Sequence, residues 1–163
     1  GKHHPELAAV QQHFGTVSGE LTSHMRKEEM VLFPYIKRLE EAADAGRRVP
    51  RPPFGTIRNP VRMMELEHEA AGDLLEQISK KSSDYTPPAE ACFSYKALYT
   101  ALKEFAEDLH QHVHLENNIL FPRAITLEEK SGIGEANGDE KPTRCSTEAA
   151  GSFPKESCCL PQK

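Results

Sequence analysis

An all-α bundle is the fold class that this sequence predicts, on three observations. Apolar residues recur at alternating three- and four-residue intervals along three long stretches, the spacing of one helix face. Proline-rich segments separate those stretches. One motif is also read twice: His24-Met25-Arg26-Lys27-Glu28 followed by Leu32-Phe33-Pro34, and His112-Val113-His114-Leu115-Glu116 followed by Leu120-Phe121-Pro122. On a helix, a histidine four residues before a glutamate sets imidazole and carboxylate one turn apart on one face.

The first helix is predicted to start near Pro5, a residue suited to a first helical turn. Its seam reads Leu7, Val10, Phe14, Val17, Leu21, His24, Glu28, Val31 and Tyr35. That face is apolar except at His24 and Glu28. Pro34 lacks an amide hydrogen and clashes with the preceding turn, so a kink or break is expected there, with a last helical stretch running toward Leu39. Ala45 to Pro60, with Pro50, Pro52, Pro53 and Gly55, reads as a long loop. Asn59-Pro60 suits the start of a second helix, whose seam is Val61, Met64, His68, Ala71, Leu75 and Ile78. Ser82 to Pro88 reads as a turn, with Pro87-Pro88 opening the third helix. Its seam is Leu98, Leu102, Phe105, Leu109, His112, Glu116 and Ile119, ending near Pro122. His110 and His114 lie about 200° round that helix from His112 and face away. The expected organisation is a helical domain over residues 1–127 and a disordered tail over 128–163, rich in Glu, Lys, Gly, Ser and Pro without periodicity.

The 163 residues suffice for one domain with a sizeable core, and 37% hydrophobic with 28% charged residues suits a soluble protein. A net charge of -5 argues against a nucleic-acid partner, because a phosphate-binding surface gathers Lys and Arg. No apolar run reaches the roughly 20 residues needed to cross a bilayer, and there is no leader-like start, so no membrane association and a cytoplasmic location are expected. Cys92, Cys145, Cys158 and Cys159 are not spaced as metal-binding pairs, and a role for Cys158 and Cys159 does not emerge.

Five polar groups therefore sit where core belongs: His24, Glu28, His68, His112 and Glu116. A lone histidine in an apolar stripe is ordinarily a hydrogen-bonded core residue. Two glutamates change that reading, because burying an unpartnered carboxylate costs several kcal/mol, on the order of the effective penalty for an isolated ion. No Lys or Arg lies on the three seams to neutralise them. Imidazole and carboxylate donors on facing helices, without thiolate, favour a carboxylate-rich iron or manganese pair. Two glutamates can bridge two metals, but three histidines are too few to give each metal two nitrogens. His13 lies roughly 16 Å along the helix from His24, too far to share the pair. A preceding helix outside this chain is expected to supply both the missing wall and the missing ligand.

The sequence resembles the hemerythrin-like domain of the Repair of Iron Centers family, of the ScdA and YtfE type. The resemblance rests on SHMRKEEMVLFP at 23–34, MELEHEAAGDLLEQI at 64–78, TPPAEAC at 86–92 and HVHLENNILFPRA at 112–124. It implies an up-down four-helix bundle of which three long helices are present, with the first histidine ligand on an earlier helix. It implies two non-haem iron ions, with His24, His68 and His112 as terminal ligands and Glu28 and Glu116 as bridging carboxylates. The implied function is repair of iron-sulfur clusters damaged by nitrosative or oxidative stress. An enzymatic nitric oxide reductase activity, iron donation, or both would carry it. The implied partners are iron-sulfur clients and the diatomic ligands nitric oxide and oxygen, with a homodimer one admissible assembly. An oxygen carrier or sensor without turnover is the alternative, and a helical interaction module without metal a third. Glu65, Glu67 and Glu69 around His68 suit an exit path or proton movement, though at least two should be a solvated face.

Overall fold

The computed structural model describes residues 4–134. Expectations that fall on Gly1 to His3 or beyond Gly134, including those for Cys145, Cys158 and Cys159, lie outside the described residues. Three long helical rods make up the fold. The first is α1 (Glu6–Lys27), a single π-helical turn (Glu28–Leu32) and α2 (Phe33–Asp44). The second is α3 (Arg58–Lys81), and the third is α4 (Phe93–Leu115), a second π turn (Glu116–Leu120) and α5 (Phe121–Ser131). The first and third rods run in the same direction, since early residues pack with early ones (Val10, Val17 with Tyr99, Leu102) and late with late (Leu32, Tyr35 with Phe121), and the two-residue strands β1 (Val49–Pro50) and β2 (Ile133–Gly134) that follow them pair in parallel, Val49 opposite Ile133.

Neither motif proline ends its helix: of the kink or break expected at Pro34 only a local distortion is present, with helix continuing past Leu39, and the expected end near Pro122 is corrected, since α5 runs on to Ser131. The chain widens before each proline instead. Phe33 N–H bonds to Glu28 O and Phe121 N–H to Glu116 O, five residues back rather than four. The extra residue relieves what the proline cannot satisfy, a missing N–H and a ring that collides with the carbonyl four residues earlier. It also rotates everything downstream. Beyond Glu28 the buried face is Leu32, Tyr35, Ile36 and Leu39, whereas Val31, on the expected seam, is 42% exposed.

Deleting Met30, which is 74% exposed, is therefore expected to destabilise the fold by several kcal/mol, because removing the extra residue turns that apolar face out of the core. Met30→Ala should be nearly neutral. Urea melts of the two variants check this, and a harmless deletion removes the register argument.

The second seam is buried at every expected position from Val61 to Ile78. It starts two residues early, at Arg58 after an Ile57 N-cap, and the Asn59 amide donates to Phe54 O (2.8 Å) instead of capping the helix. The third helix begins at Phe93, not at Pro87-Pro88, with Cys92 extended just before it. Its inner face also differs from the expected seam. Tyr95, Tyr99, Leu102, Ala106 and Leu109 are buried, while Leu98 and Ile119 are each 42% exposed. Leu98 and Phe105, with Leu7 and Phe14 of α1, border an apolar groove of about 380 Å³ between α1 and α4. The helical unit also passes the expected boundary at Leu127, since α5 runs to Ser131 and Glu128 is buried.

Two apolar clusters form the core. One joins Val10 and Val17 to Leu75, Ile78, Tyr99 and Leu102; the other joins Leu32, Tyr35 and Leu39 to Ile57, Val61 and Phe121. Between them along the rods lies a polar layer. Among the described residues no helix is long and apolar enough to cross a membrane.

Candidate metal centre

The polar layer consists of the five residues singled out by the seams. His24 is in the last turn of α1, His68 is midway along α3, and His112 is in the last turn of α4, while Glu28 and Glu116 open the two π turns. One ligand-type atom from each lies within 4.8 Å of those of the other four. All are buried except His112, whose side chain is 28% exposed. The structure thus brings together every residue expected at the site. His110 and His114 are exposed, as their angular position requires.

The geometry is that of donors converging without acceptable partners. His24 Nε2 lies 3.3 Å from Glu28 Oε1, and His68 Nε2 and His112 Nε2 lie 3.2 and 3.3 Å from Glu116 Oε2. None of these approaches is aligned as a hydrogen bond: both Glu28 oxygens, Glu116 Oε2 and His112 Nε2 are buried without a hydrogen-bond partner among the described residues. Buried polar atoms in native proteins are nearly always satisfied, so such a cluster calls for something that accepts several lone pairs at once. A cation does this. The donor set of three imidazoles and two carboxylates, free of thiolate, fits first-row metals of the iron and manganese kind.

The outer ring nitrogens explain why the inner ones are available. His24 Nδ1 meets Glu67 Oε2 at 2.9 Å, and His68 Nδ1 meets Asn117 Oδ1 at 2.9 Å. With those protons donated outward, both Nε2 atoms carry lone pairs, yet they face each other at 3.1 Å. Two lone pairs hold that separation comfortably when both point at one positive charge. The charge can also be a proton. Burial opposes charging His24, but Glu28 and Glu67 outweigh it and raise the pKa of the imidazole. Burial likewise works against the charged Glu116, and its close contacts with His68 and Glu28, with the positive potential of His112 and His68, still lower its pKa. Glu67 is itself paired with Lys27, and its pKa is lowered by Lys27 and His24 in spite of burial.

The sequence alone does not single out Glu67 as a partner for His24, or Asn117 at all. The available signal is chemical: an imidazole that binds metal donates its other N–H to a carboxylate or carbonyl, and both partners stand one residue from a ligand candidate. Of the three glutamates near His68, Glu65 and Glu69 are exposed, and Glu67 is the one turned inward.

Residues 1–124 match the model of the hemerythrin HHE cation-binding domain. The chain is 45% identical over 109 residues to a probable iron-sulfur cluster repair protein of Haemophilus influenzae, which covers 67% of this chain and 43% of that protein. It is 48% and 45% identical, over the same length, to the iron-sulfur cluster repair protein YtfE of Cronobacter sakazakii and of Escherichia coli O81. These cover 67% of this chain and 43% and 44% of the two relatives. The chain therefore spans less than half the length of the curated relatives it matches. With a helical bundle, a buried layer of histidine and glutamate and a domain match over three-quarters of its length, the chain belongs to the hemerythrin HHE cation-binding domain family.

Proposed function

We propose that the protein holds two non-haem iron ions and serves the repair of iron-sulfur clusters damaged by nitric oxide or oxidants. The observation that carries this reading is the pair of buried carboxylates, Glu28 and Glu116, of which both Glu28 oxygens and Glu116 Oε2 have no hydrogen-bond partner among the described residues, beside three converging imidazoles. Relatives 45% and 48% identical to this chain over 109 residues are named for iron-sulfur cluster repair.

His24, His68 and His112 are the proposed terminal ligands and Glu28 and Glu116 the proposed bridges. When bound, a reduced iron pair supplies two electrons, one from each iron(II), enough to turn two nitric oxide molecules and two protons into nitrous oxide and water. The chain's own part is to hold the donors. Glu67 and Asn117 orient His24 and His68, and Lys27 fixes Glu67. The apolar clusters on either side keep the layer dry, which strengthens every electrostatic contact within it. Two outputs suit such a site: nitric oxide removal, and release of iron to a client iron-sulfur protein.

Anaerobic loading with 57Fe(II), followed by Mössbauer spectroscopy, tests the metal assignment. Exposure of the reduced protein to nitric oxide or to oxygen tests the chemistry. The expected result is a coupled iron pair and nitrous oxide formed with oxidation of the pair. Reversible oxygen binding without turnover would support a carrier instead. A chain that recovers no activity in a nitric-oxide-treated iron-sulfur protein, with iron bound, would remove the repair role.

A further inference from the structure

One stretch breaks the charge balance of the chain. From Ala45 to Met64 there are five arginines, Arg47, Arg48, Arg51, Arg58 and Arg62, and no Asp, Glu or Lys, in a protein whose net charge is -5. All five are exposed, and among the described residues only Arg58 has an ion-pair partner, Glu129. A solvated helix face ordinarily mixes the two signs, as Lys80 with Glu76 and Lys103 with Glu107 do here. The segment that bears the arginines is fixed from beneath. Val49, Pro52 and Ile57 are buried, Gly55 N–H donates to Pro52 O (2.9 Å), and Glu128 accepts from Thr56 Oγ1 and Ile57 N–H. Pro50, Pro52 and Pro53 each lock a backbone angle. The guanidinium groups are thus carried on a pre-organised backbone, which lowers the ordering cost of binding. Arginine suits the task better than lysine, since its planar fork grips a carboxylate with two hydrogen bonds and gives up water readily.

The arginines stand at the end of the bundle where α3 begins. Arg62 is six residues before His68 and Arg58 is ten, about 9 and 15 Å along the helix at 1.5 Å per residue. Met63 and Leu66 follow on α3, 52% and 50% exposed, and add apolar contact next to the charge. Arginine with methionine and leucine is the make-up of a protein-binding face, whereas a phosphate-binding surface relies on charge alone. Resting on the iron-pair reading above, we propose that this arginine-bearing end docks a small acidic electron-carrier protein that returns the oxidised pair to its reduced state. Each reduced carrier gives up one electron, so two encounters turn two iron(III) into two iron(II) and leave two oxidised carriers. Opposite charges steer such encounters, raising on-rates by about 10- to 1000-fold at low ionic strength. A small, brief contact suffices, as is usual between electron-transfer partners.

The test is calorimetric titration of the metal-free, full 163-residue chain with an acidic plant-type ferredoxin, followed by stopped-flow oxidation of the reduced ferredoxin by the iron-loaded chain. Both are run at about 0.1 M salt, where exposed charges more than about 10 Å apart are screened. Binding is expected, and it should weaken steeply as salt is raised. Arg47→Glu, Arg48→Glu and Arg51→Glu together should weaken binding and slow ferredoxin oxidation at least about tenfold, with reduction by dithionite and the circular dichroism spectrum unchanged. Lys81→Glu, Lys96→Glu and Lys103→Glu together make the same change of net charge at exposed positions elsewhere, and should alter binding by less than about twofold. No binding, equal loss in the lysine variant, or a preference for basic cytochrome c would overturn the proposal, as would tighter capture of duplex DNA or of phosphatidylserine vesicles. Binding seen only after removal of residues 135–163 would assign the face to the chain's own acidic stretch, with Glu135, Asp139 and Glu140, and would overturn it too. Arginine-dependent binding by a chain that never gives a paired-iron spectrum would overturn the di-iron reading and leave the docking face standing.

Discussion

Glu28→Gln is expected to abolish the paired-metal spectrum and, at the same time, to leave the metal-free chain at least as stable as its parent. Glu28 is 0% exposed and neither of its oxygens has a hydrogen-bond partner among the described residues. In the metal-free protein it is a fully desolvated carboxyl group whose neighbour His24 Nε2, at 3.3 Å, is not aligned as a hydrogen bond. Gln has the same shape and no charge, and its amide can donate to the His24 nitrogen that Glu28 Oε1 now faces. Replacing buried charged groups by neutral ones of similar volume is often neutral or stabilising, by up to about 4 kcal/mol, so the metal-free variant should resist urea at least as well as the metal-free parent. With metal the order reverses, because an ion that binds the folded state alone adds about 4 kcal/mol at a thousand times its dissociation constant. Glu28→Ala and Glu116→Ala should also lose the pair spectrum. Mössbauer spectra and urea melts with and without iron check both halves. An unchanged spectrum removes the bridging assignment, and a metal-free Gln variant weaker than its parent removes the claim that this carboxylate wants for a partner.

The same energetic oddity made the site legible in the sequence. Apolar seams interrupted at His24, Glu28, His68, His112 and Glu116 identify five residues that the structure gathers within 4.8 Å, because helical periodicity alone decides which way each points. Periodicity fails where the helix stops being α. The π turns shift the phase by one residue, so Val31 and Ile119 appear on the seams but are exposed, and Leu32 appears off the seam but is 1% exposed. The signal for that shift is present, since both motifs place a proline six residues after the glutamate. A proline is ordinarily read as a break, whereas here packing on both sides holds the helix together and the backbone absorbs the misfit. Contacts between rods are illegible for a different reason. That Glu67 meets His24 from 43 residues away depends on how α3 rotates against α1, which no local pattern encodes.

Glu128→Ala is expected to destabilise the protein by about 3 kcal/mol, the range for breaking a buried charge-assisted network, although composition places this residue at the start of a tail. Its carboxylate is 5% exposed and accepts three hydrogen bonds: from Tyr35 Oη (2.8 Å), Thr56 Oγ1 (2.5 Å) and the backbone N–H of Ile57 (2.9 Å). The last of these is at the start of α3, where free N–H groups and the helix dipole favour an anion. One side chain on α5 thus fastens α2 and the entry to α3. Removing it strands a buried phenol and a buried amide, each of which then bears its own desolvation cost. Tyr35 already registers the contact: burial and the adjoining carboxylate both push its pKa upward. Glu128→Gln, which keeps one accepting oxygen but not the charge, should cost less than half as much. Tyr35→Phe should cost less in the Glu128→Ala background than in the parent, since its partner is already gone. Because α2 and α5 continue directly from the π turns that carry Glu28 and Glu116, loosening this clasp should also lower metal affinity without touching a ligand. Urea melts of the double-mutant cycle and iron binding to Glu128→Ala check these expectations. Additive effects of Tyr35→Phe and Glu128→Ala would show that the two residues do not act as one unit.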